Sequence, residues 1–221
     1  MCGRYSLTAD PEELARRFEF AGDWTVLKPR YNVAPTQQVL AVVGGAERRG
    51  GLMRWGLIPH WAKQRKSGRP LINARAETVA ERPAFRAAFR RRRCLILADG
   101  FYEWQPTGGV KRPMRIVLDS EEPFAFAGLW SVWIDPEGQR ISSCAIITTK
   151  ANDLLRPIHD RMPVILARDD EEFWLDPDVD DPGTLGSLLT PYDARAMEAY
   201  EVSPLVNAAA NDGPEIIARV A

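Results

Sequence analysis

Histidine is scarce in this sequence, two residues in 221, and cysteine is hardly commoner at three. Cys2, Cys94 and Cys144 are far apart and odd in number, so no disulfide framework can be drawn. Neither a CxxC nor an HxxxH spacing occurs, which argues against a metal site, and Cys94 and Cys144 fall in apolar runs as ordinary core residues. No Walker loop, GxGxxG or GxSxG is present to hold a nucleotide cofactor or a serine nucleophile. No apolar run approaches the roughly 18 residues that cross a bilayer. Arg4, Asp10, Glu12, Glu13, Arg16 and Arg17 break up any signal-peptide core near the start. These absences point to a reducing cytoplasm, no membrane, no metal and no cofactor.

A surplus of one charge is also missing overall, with a formal net charge of −1, yet the two halves differ sharply. Residues 1–118 hold 22 Lys and Arg against 10 Asp and Glu, whereas residues 119–221 hold 7 against 20. The basic half includes "KQRKSGR" at 63–69 and "FRAAFRRRRC" at 85–94. Such asymmetry fits a polyanion-binding face, and it equally fits a solvated helix balancing the acidic 169–181 stretch.

The pattern predicts α+β architecture in a single domain over 1–221, with a curved, largely antiparallel, barrel-like β core and short peripheral helices. "DPEELARRFEF" reads as a helix with Asp10 as N-cap, Pro11 at the first position, Glu13 completing a capping box, and Leu14 and Phe18 on one face. Residues 37–43 and "LMRWGLI" read as a hairpin, and residues 76–90 as two short helical pieces split by Pro83. Strands are expected at 94–104, 114–119, 124–130 and 141–150. A capped helix is expected at "DDEEFWL", short helices at 183–189 and 193–200, and a closing strand at "PEIIARV".

What is present and chemically unusual begins with Cys2. Removal of Met1 would leave a residue with two nucleophiles, a thiol and an α-amine, whose reference pKa values of about 8.5 and 7.7–8.0 lie close to neutrality. Such a pair can condense with an aldehyde and close a thiazolidine ring, or the amine can serve the thiol as general base. Glu103 places a carboxylate inside the aromatic strand "GFYEW", where desolvation would raise its pKa toward proton-transfer range, unless an arginine pairs with it. His159 sits in the polar loop "RPIHDRMPVIL", suited to acid–base work or phosphate contact, although loop histidines, His60 included, are commonly plain surface. Asn73 and Arg75 in "LINARAET" lie two apart on one side of an extended segment, an amide beside a phosphate-matching fork. Arg30 and Asn32 occupy the Pro-punctuated loop "PRYNVAPTQ". Most of the seven tryptophans must be core, but Trp61 in a loop could stack on bases.

Together "MCGRY", "RYNVAPTQ", "RWGLIPHWA", "INARAET", "FRRRRCLILADGFYEW" and "IHDRMPVIL", in this order, resemble the SOS response-associated peptidase family of abasic site processing proteins. The likeness runs from Cys2 to about residue 216, while the acidic 169–181 stretch matches no part of the family pattern. It implies a protein that senses abasic sites in single-stranded DNA, including single-strand/double-strand junctions, and links itself to them covalently; a monomer is the default expectation, since nothing in the sequence suggests otherwise. By that resemblance Cys2 is the nucleophile, Asn73 positions the opened sugar, Glu103 shuttles protons, and His159 assists proton transfer and any strand-cleaving elimination. Arg4, Arg75 and Arg161 would hold flanking phosphates, and Asn32, Pro35 and Trp61 would lie along the DNA. AP-lyase chemistry, self-processing at Met1 and nucleoid association when bound complete the implied picture. Two rivals use the same residues differently. One is a non-covalent single-strand binder in which Cys2 is incidental. The other is an N-terminal-nucleophile glutamine amidotransferase, although Arg4 and Tyr5 stand where those domains normally carry an apolar strand.

Overall fold

The runs at 94–98 and 124–130 carry apolar residues at consecutive positions, which suits strands buried on both faces. A computed structural model describes residues 2–22, 27–64 and 70–220 and places them so. In chain order the strands are β1 Tyr5–Leu7, β2 Arg30–Val33, β3 Gln38–Val43, β4 Arg49–Trp55, β5 Asn73–Arg75 and β6 Arg93–Ala98. They continue with β7 Gly100–Thr107, β8 Val110–Leu118, β9 Phe124–Ile134, β10 Arg140–Lys150, β11 Arg161–Pro163 and β12 Met197–Glu201. The helices are α1 Pro11–Phe18, α2 Arg86–Arg91, α3 Asp170–Leu175 and α4 Pro182–Ser187.

Antiparallel pairings join β4 to β3, β3 to β6, β6 to β9 and β9 to β10. A parallel pairing of Ser143 and Cys144 with Arg54 and Trp55 brings β10 back to β4 and closes a five-stranded mixed barrel. Where β4 ends, β5 takes over beside β10, with Asn73 opposite Ile146 and Arg75 opposite Thr148. The second sheet runs β12-β8-β7-β1-β2.

Strand periodicity sorts the core into two layers. Val39, Ala41, Cys94, Ile96, Phe126, Cys144 and Ile146 share one cluster with Tyr5, Phe101 and Ile116 of the second sheet. Their alternating neighbours Leu40, Val42, Leu95, Leu97, Ala127, Leu129 and Ile147 pack with Leu14 and Phe18 of α1, Phe89 of α2 and Trp174 of α3. Gly128 is forced by close approach, because a Cβ there would lie 2.8 Å from the Cys94 sulfur.

The structure matches the expected α+β class with a barrel-like core, and it corrects several local expectations. Residues 94–104 are two strands in different sheets. The chain changes sheet at Asp99, whose carboxylate accepts from Ser6 Oγ (2.6 Å), Thr8 Oγ1 (2.7 Å) and the Ala9 N–H (3.1 Å). Asp10 caps α1 by accepting from the Glu12 N–H at 2.9 Å. Among the described residues no bond returns from the Glu13 side chain to Asp10, so the cap is one-sided. α3 forms without a side-chain cap. Residues 193–200 make one 3-10 turn capped by Asp193 and then β12, because pairing along β8 outweighs their helical propensity. "PEIIARV" opens as a 3-10 turn, with a single bridge from Arg219 to Val202 where a strand was expected. β1 and β2 are strands that the residue pattern did not reveal.

The acidic 169–181 stretch packs against basic residues. Glu171 makes a two-pronged pair with Arg17 (2.8 and 3.0 Å), and Asp180 meets Arg91 at 2.7 Å. Arg93 donates to the Trp174 carbonyl at 2.6 Å. Part of the charge asymmetry is therefore internal neutralisation.

Candidate functional site

Cys2 enters the site in an extended segment just ahead of β1 and is completely buried. Its carbonyl accepts a 2.8 Å hydrogen bond from Asn73 Nδ2 at the start of β5, so the β4-to-β5 handover along β10 fixes the Cys2 backbone. The Asn73 Oδ1 is buried with no hydrogen-bond partner among the described residues. Buried amide oxygens are normally satisfied, so an open acceptor beside Cys2 marks a place for an incoming donor.

Glu103 lies in β7 opposite Met114. Strand alternation puts its side chain on the same face as Phe101, which packs in the cluster containing Cys2. Only 2% of the residue is exposed. Burial pushes its carboxyl up to about 7, while the positive charge at the chain's amino terminus opposes the rise. The Cys2 thiol is also pushed up, first by burial and then by the charge of Glu103, which places the two side chains within electrostatic reach. The Cys2 thiol donates to the Arg4 carbonyl at 3.7 Å. In this setting the sulfur is held as a neutral thiol, and Glu103 is poised to exchange a proton near neutral pH.

His159 closes the turn before β11, its N–H bonded to the Leu155 carbonyl at 2.8 Å. Its Nδ1 accepts from the Arg161 N–H at 2.9 Å, which fixes the neutral ring. The Asp160 carboxylate lies at the same 2.9 Å from Nδ1 and becomes its partner only when the ring is protonated. Burial first, and then the amino-terminal charge, hold the His159 pKa below its ordinary value. Cys2, Asn73, Glu103 and His159 are thus gathered from the amino-terminal segment, β5, β7 and the turn ahead of β11.

The proposed DNA contacts divide. Arg75 is exposed, with no ion-pair or hydrogen-bond partner for its side chain among the described residues, and Trp61 is 57% exposed on a tight turn. Pro35 is half-buried in the turn ahead of Thr36, whose φ is 74°. Asn32, in contrast, is buried and spent internally: its Nδ2 reaches the carbonyls of Val206, Ala208 and Asn211 at 2.8–3.1 Å, and its Oδ1 accepts from Arg4 at 2.8 Å. Arg4 itself donates to the Val206 and Asn207 carbonyls at 2.6 and 3.1 Å, which makes it a brace for the carboxy-terminal turn. Arg161 is held by both oxygens of Glu77 (2.6 and 3.0 Å) and by the Thr148 carbonyl (2.6 Å). Its ion pair depresses the Glu77 pKa. Glu77 was legible only as a neighbour of "NAR", and nothing in the sequence singled out Thr148. No described helix is long and apolar enough to cross a membrane.

A family model described as SOS response associated peptidase (SRAP) matches residues 1–209. The chain is 49% identical over 224 residues to the abasic site processing protein YoqW of Bacillus subtilis, covering 98% of this chain and 99% of that one. It is 48% identical over 224 residues to the abasic site processing protein YoaM of the same organism, covering 98% and 97%. A crystal structure of a protein from Bacteroides thetaiotaomicron superposes with a TM-score of 0.89 at 28% identity, each chain fully covered.

Proposed function

Because this chain belongs to the SOS response associated peptidase family, we propose that it processes abasic sites in single-stranded DNA by linking Cys2 covalently to the lesion. The observation that carries the reading is the pairing of a buried Cys2 with a carboxyl raised to about 7 and with an amide oxygen that has no partner among the described residues. A structural cysteine needs neither.

The chemistry follows from those groups. Removal of Met1 exposes the Cys2 amine. An abasic deoxyribose in its opened form carries an aldehyde at C1′. The amine adds to that carbon, a proton from Glu103 helps the carbinolamine hydroxyl leave as water, and an imine forms. The thiol sulfur then bonds to the imine carbon while its proton passes to nitrogen, closing a thiazolidine with the net loss of one water. Thiazolidine formation consumes the thiol in its neutral form, the form that burial favours here. Asn73 steadies Cys2 through the 2.8 Å bond and offers its Oδ1 to a hydroxyl of the opened sugar. His159, held neutral, takes part in proton transfer at the sugar ring oxygen and in any elimination that cuts the strand. Self-removal of the residue ahead of Cys2 would use the same carboxylate. Phosphate contact falls first to exposed Arg75, with Trp61 and Pro35 along the DNA path. Arg161 could join only by exchanging Glu77 for phosphate.

Intact mass of the untagged protein, before and after incubation with single-stranded DNA bearing one abasic site, tests the proposal. The expected result is loss of Met1 and a covalent adduct that a Cys2→Ala variant does not form. Adduct formation by a protein that keeps extra residues ahead of Cys2 would overturn the thiazolidine, since its amine would then lie elsewhere.

A further inference from the structure

The turn that carries His159 brings one more charged group to the proton-handling side chains. The Asp160 carboxylate stands 2.9 Å from His159 Nδ1, and the Arg161 N–H stands at the same 2.9 Å from that nitrogen. We infer that Asp160 is a positioning residue for the reaction: it holds Nδ1–H of His159 when the ring is protonated, and so makes Nε2 a proton donor to the ring oxygen of the abasic sugar. The inference rests on the abasic-site reading above and deepens it, by assigning what sustains the acid.

The reasoning starts from the imidazole. A neutral ring whose Nδ1 accepts from a backbone N–H carries its one proton on Nε2, and giving that proton away would leave an imidazolate. The imidazolium is the form that can act as an acid near neutral pH. Most of the surroundings of His159 oppose it. Burial, the amino-terminal charge and Arg161 disfavour the protonated ring, whereas Asp160 favours it. Lys150 of β10 adds a further cation opposite Arg161, which Glu77 holds, and Asp153 and Arg156 of the preceding turn are paired with each other at 2.6 Å. Across the site in β7, Glu103 feels the same carboxylate: after burial, the Asp160 charge also favours its protonated form.

Geometry fits Asp160 to this task. Nδ1 lies between a donor that suits the neutral ring and an acceptor that suits the charged one, so protonation exchanges partners with little movement. The backbone on both sides is anchored. The His159 N–H bonds the Leu155 carbonyl at 2.8 Å, and the Asp160 carbonyl accepts from the Ala151 N–H at 3.1 Å. The carboxylate itself is 87% exposed, and an ion pair with so exposed a partner adds little to the fold. In the step itself the C1′–O4′ bond of the closed sugar breaks, and its electron pair stays on O4′, which takes the Nε2 proton. The C1′ hydroxyl becomes the aldehyde as its own proton passes to water. His159 is left neutral, with its remaining proton on Nδ1 held by Asp160.

The test uses the untagged full-length protein, its Asp160→Asn and Asp160→Glu variants, and nitrogen-15 labelled histidine. The chain has two histidines, so a His60→Gln variant assigns the His159 signals in a pH titration. Asp160→Asn is expected to lower the His159 midpoint by about half a pH unit, the scale of an exposed pair, and 1 M salt should erase the difference. Adduct formation is then timed with saturating protein on a single strand bearing one abasic site. At pH 8 Asp160→Asn should react about threefold more slowly than wild type, and at pH 5 equally fast. Asp160→Glu, which keeps the charge, should follow the wild type at both. A strand whose lesion is an acyclic aldehyde needs no ring opening, and there all three proteins should react alike. An unmoved His159 midpoint, equal rates at pH 8, or a slowing that persists at pH 5 or on the acyclic aldehyde would overturn the role of Asp160. Absence of any adduct from the wild type would instead overturn the Cys2 reading, and this inference with it.

Discussion

Two carboxylates four residues apart, Asp99 and Glu103, are used in opposite ways. Asp99 is wrapped: Ser6, Thr8 and Ala9 donate to it, and Arg115, itself nearly buried, reaches it at 3.2 Å while also holding the Tyr200 hydroxyl at 2.7 Å. This network ties β1, the β6–β7 corner, β8 and β12 into one unit. Glu103 is just as enclosed, yet burial lifts its pKa to about 7. A carboxylate ringed by several donors is committed to the fold, whereas one whose burial outweighs its stabilising charge holds a proton near neutral pH. The strand pleat makes the division possible, because Tyr102 and Arg115 face one side of the second sheet and Phe101 and Glu103 the other.

The contrast breaks most visibly at Asp99. Asp99→Ala strands a buried guanidinium and should lower stability by about 3 kcal/mol or more in urea unfolding. A change under about 1 kcal/mol would mean that the network is ornamental. Glu103→Gln should do the opposite, leaving unfolding at neutral pH unharmed and slowing adduct formation about 100-fold.

Its pH behaviour sharpens the point. The folded chain binds the Glu103 proton more tightly than the unfolded chain, since the pKa rises from 4.5 to about 7. That contribution to stability is full below about 4.5 and is lost as pH rises through about 7. Glu103→Gln should therefore flatten the stability slope across that window, which parallel denaturation curves at pH 4.5, 6 and 8 would reveal. An unchanged slope would assign the titration to another group.

A smaller effect separates exposed Arg75 from paired Arg161. Arg75→Ala should weaken binding of undamaged single strands to a similar degree for every sequence and reduce the salt slope by about 1. Equal loss from Arg161→Ala would show that phosphate displaces Glu77.

Much of this was legible in the sequence, for reasons that differ by residue. The strands of the barrel announced themselves through two-sided apolar runs such as Leu95, Ile96 and Leu97, and α1 through Asp10 and Pro11. The candidate chemical residues stood out because they violate local expectation: a carboxylate in "GFYEW", a cysteine at position 2. The internal bonds of Arg4, Asn32 and Arg161 were not legible because their partners are remote in sequence. Arg4 meets Val206 and Asn207, Asn32 meets Ala208 and Asn211, and Arg161 meets Glu77. A local pattern reports what a residue could contact, and only the fold reports what it has already spent. The break at Asp99 was hidden for a related reason, since its partners Ser6, Thr8 and Ala9 lie some ninety residues upstream.

The brace between Arg4 and the carboxy-terminal turn also sets a clock. Its acceptors on Val206 and Asn207 are about two hundred residues downstream, so during synthesis they do not yet exist when the amino end leaves the ribosome. At roughly 5–20 residues per second, the start of the chain waits about 10–40 s before it can be locked into place. Cys2, two positions before Arg4, therefore lacks this brace throughout that interval and is enclosed only once the last turns of the chain have emerged.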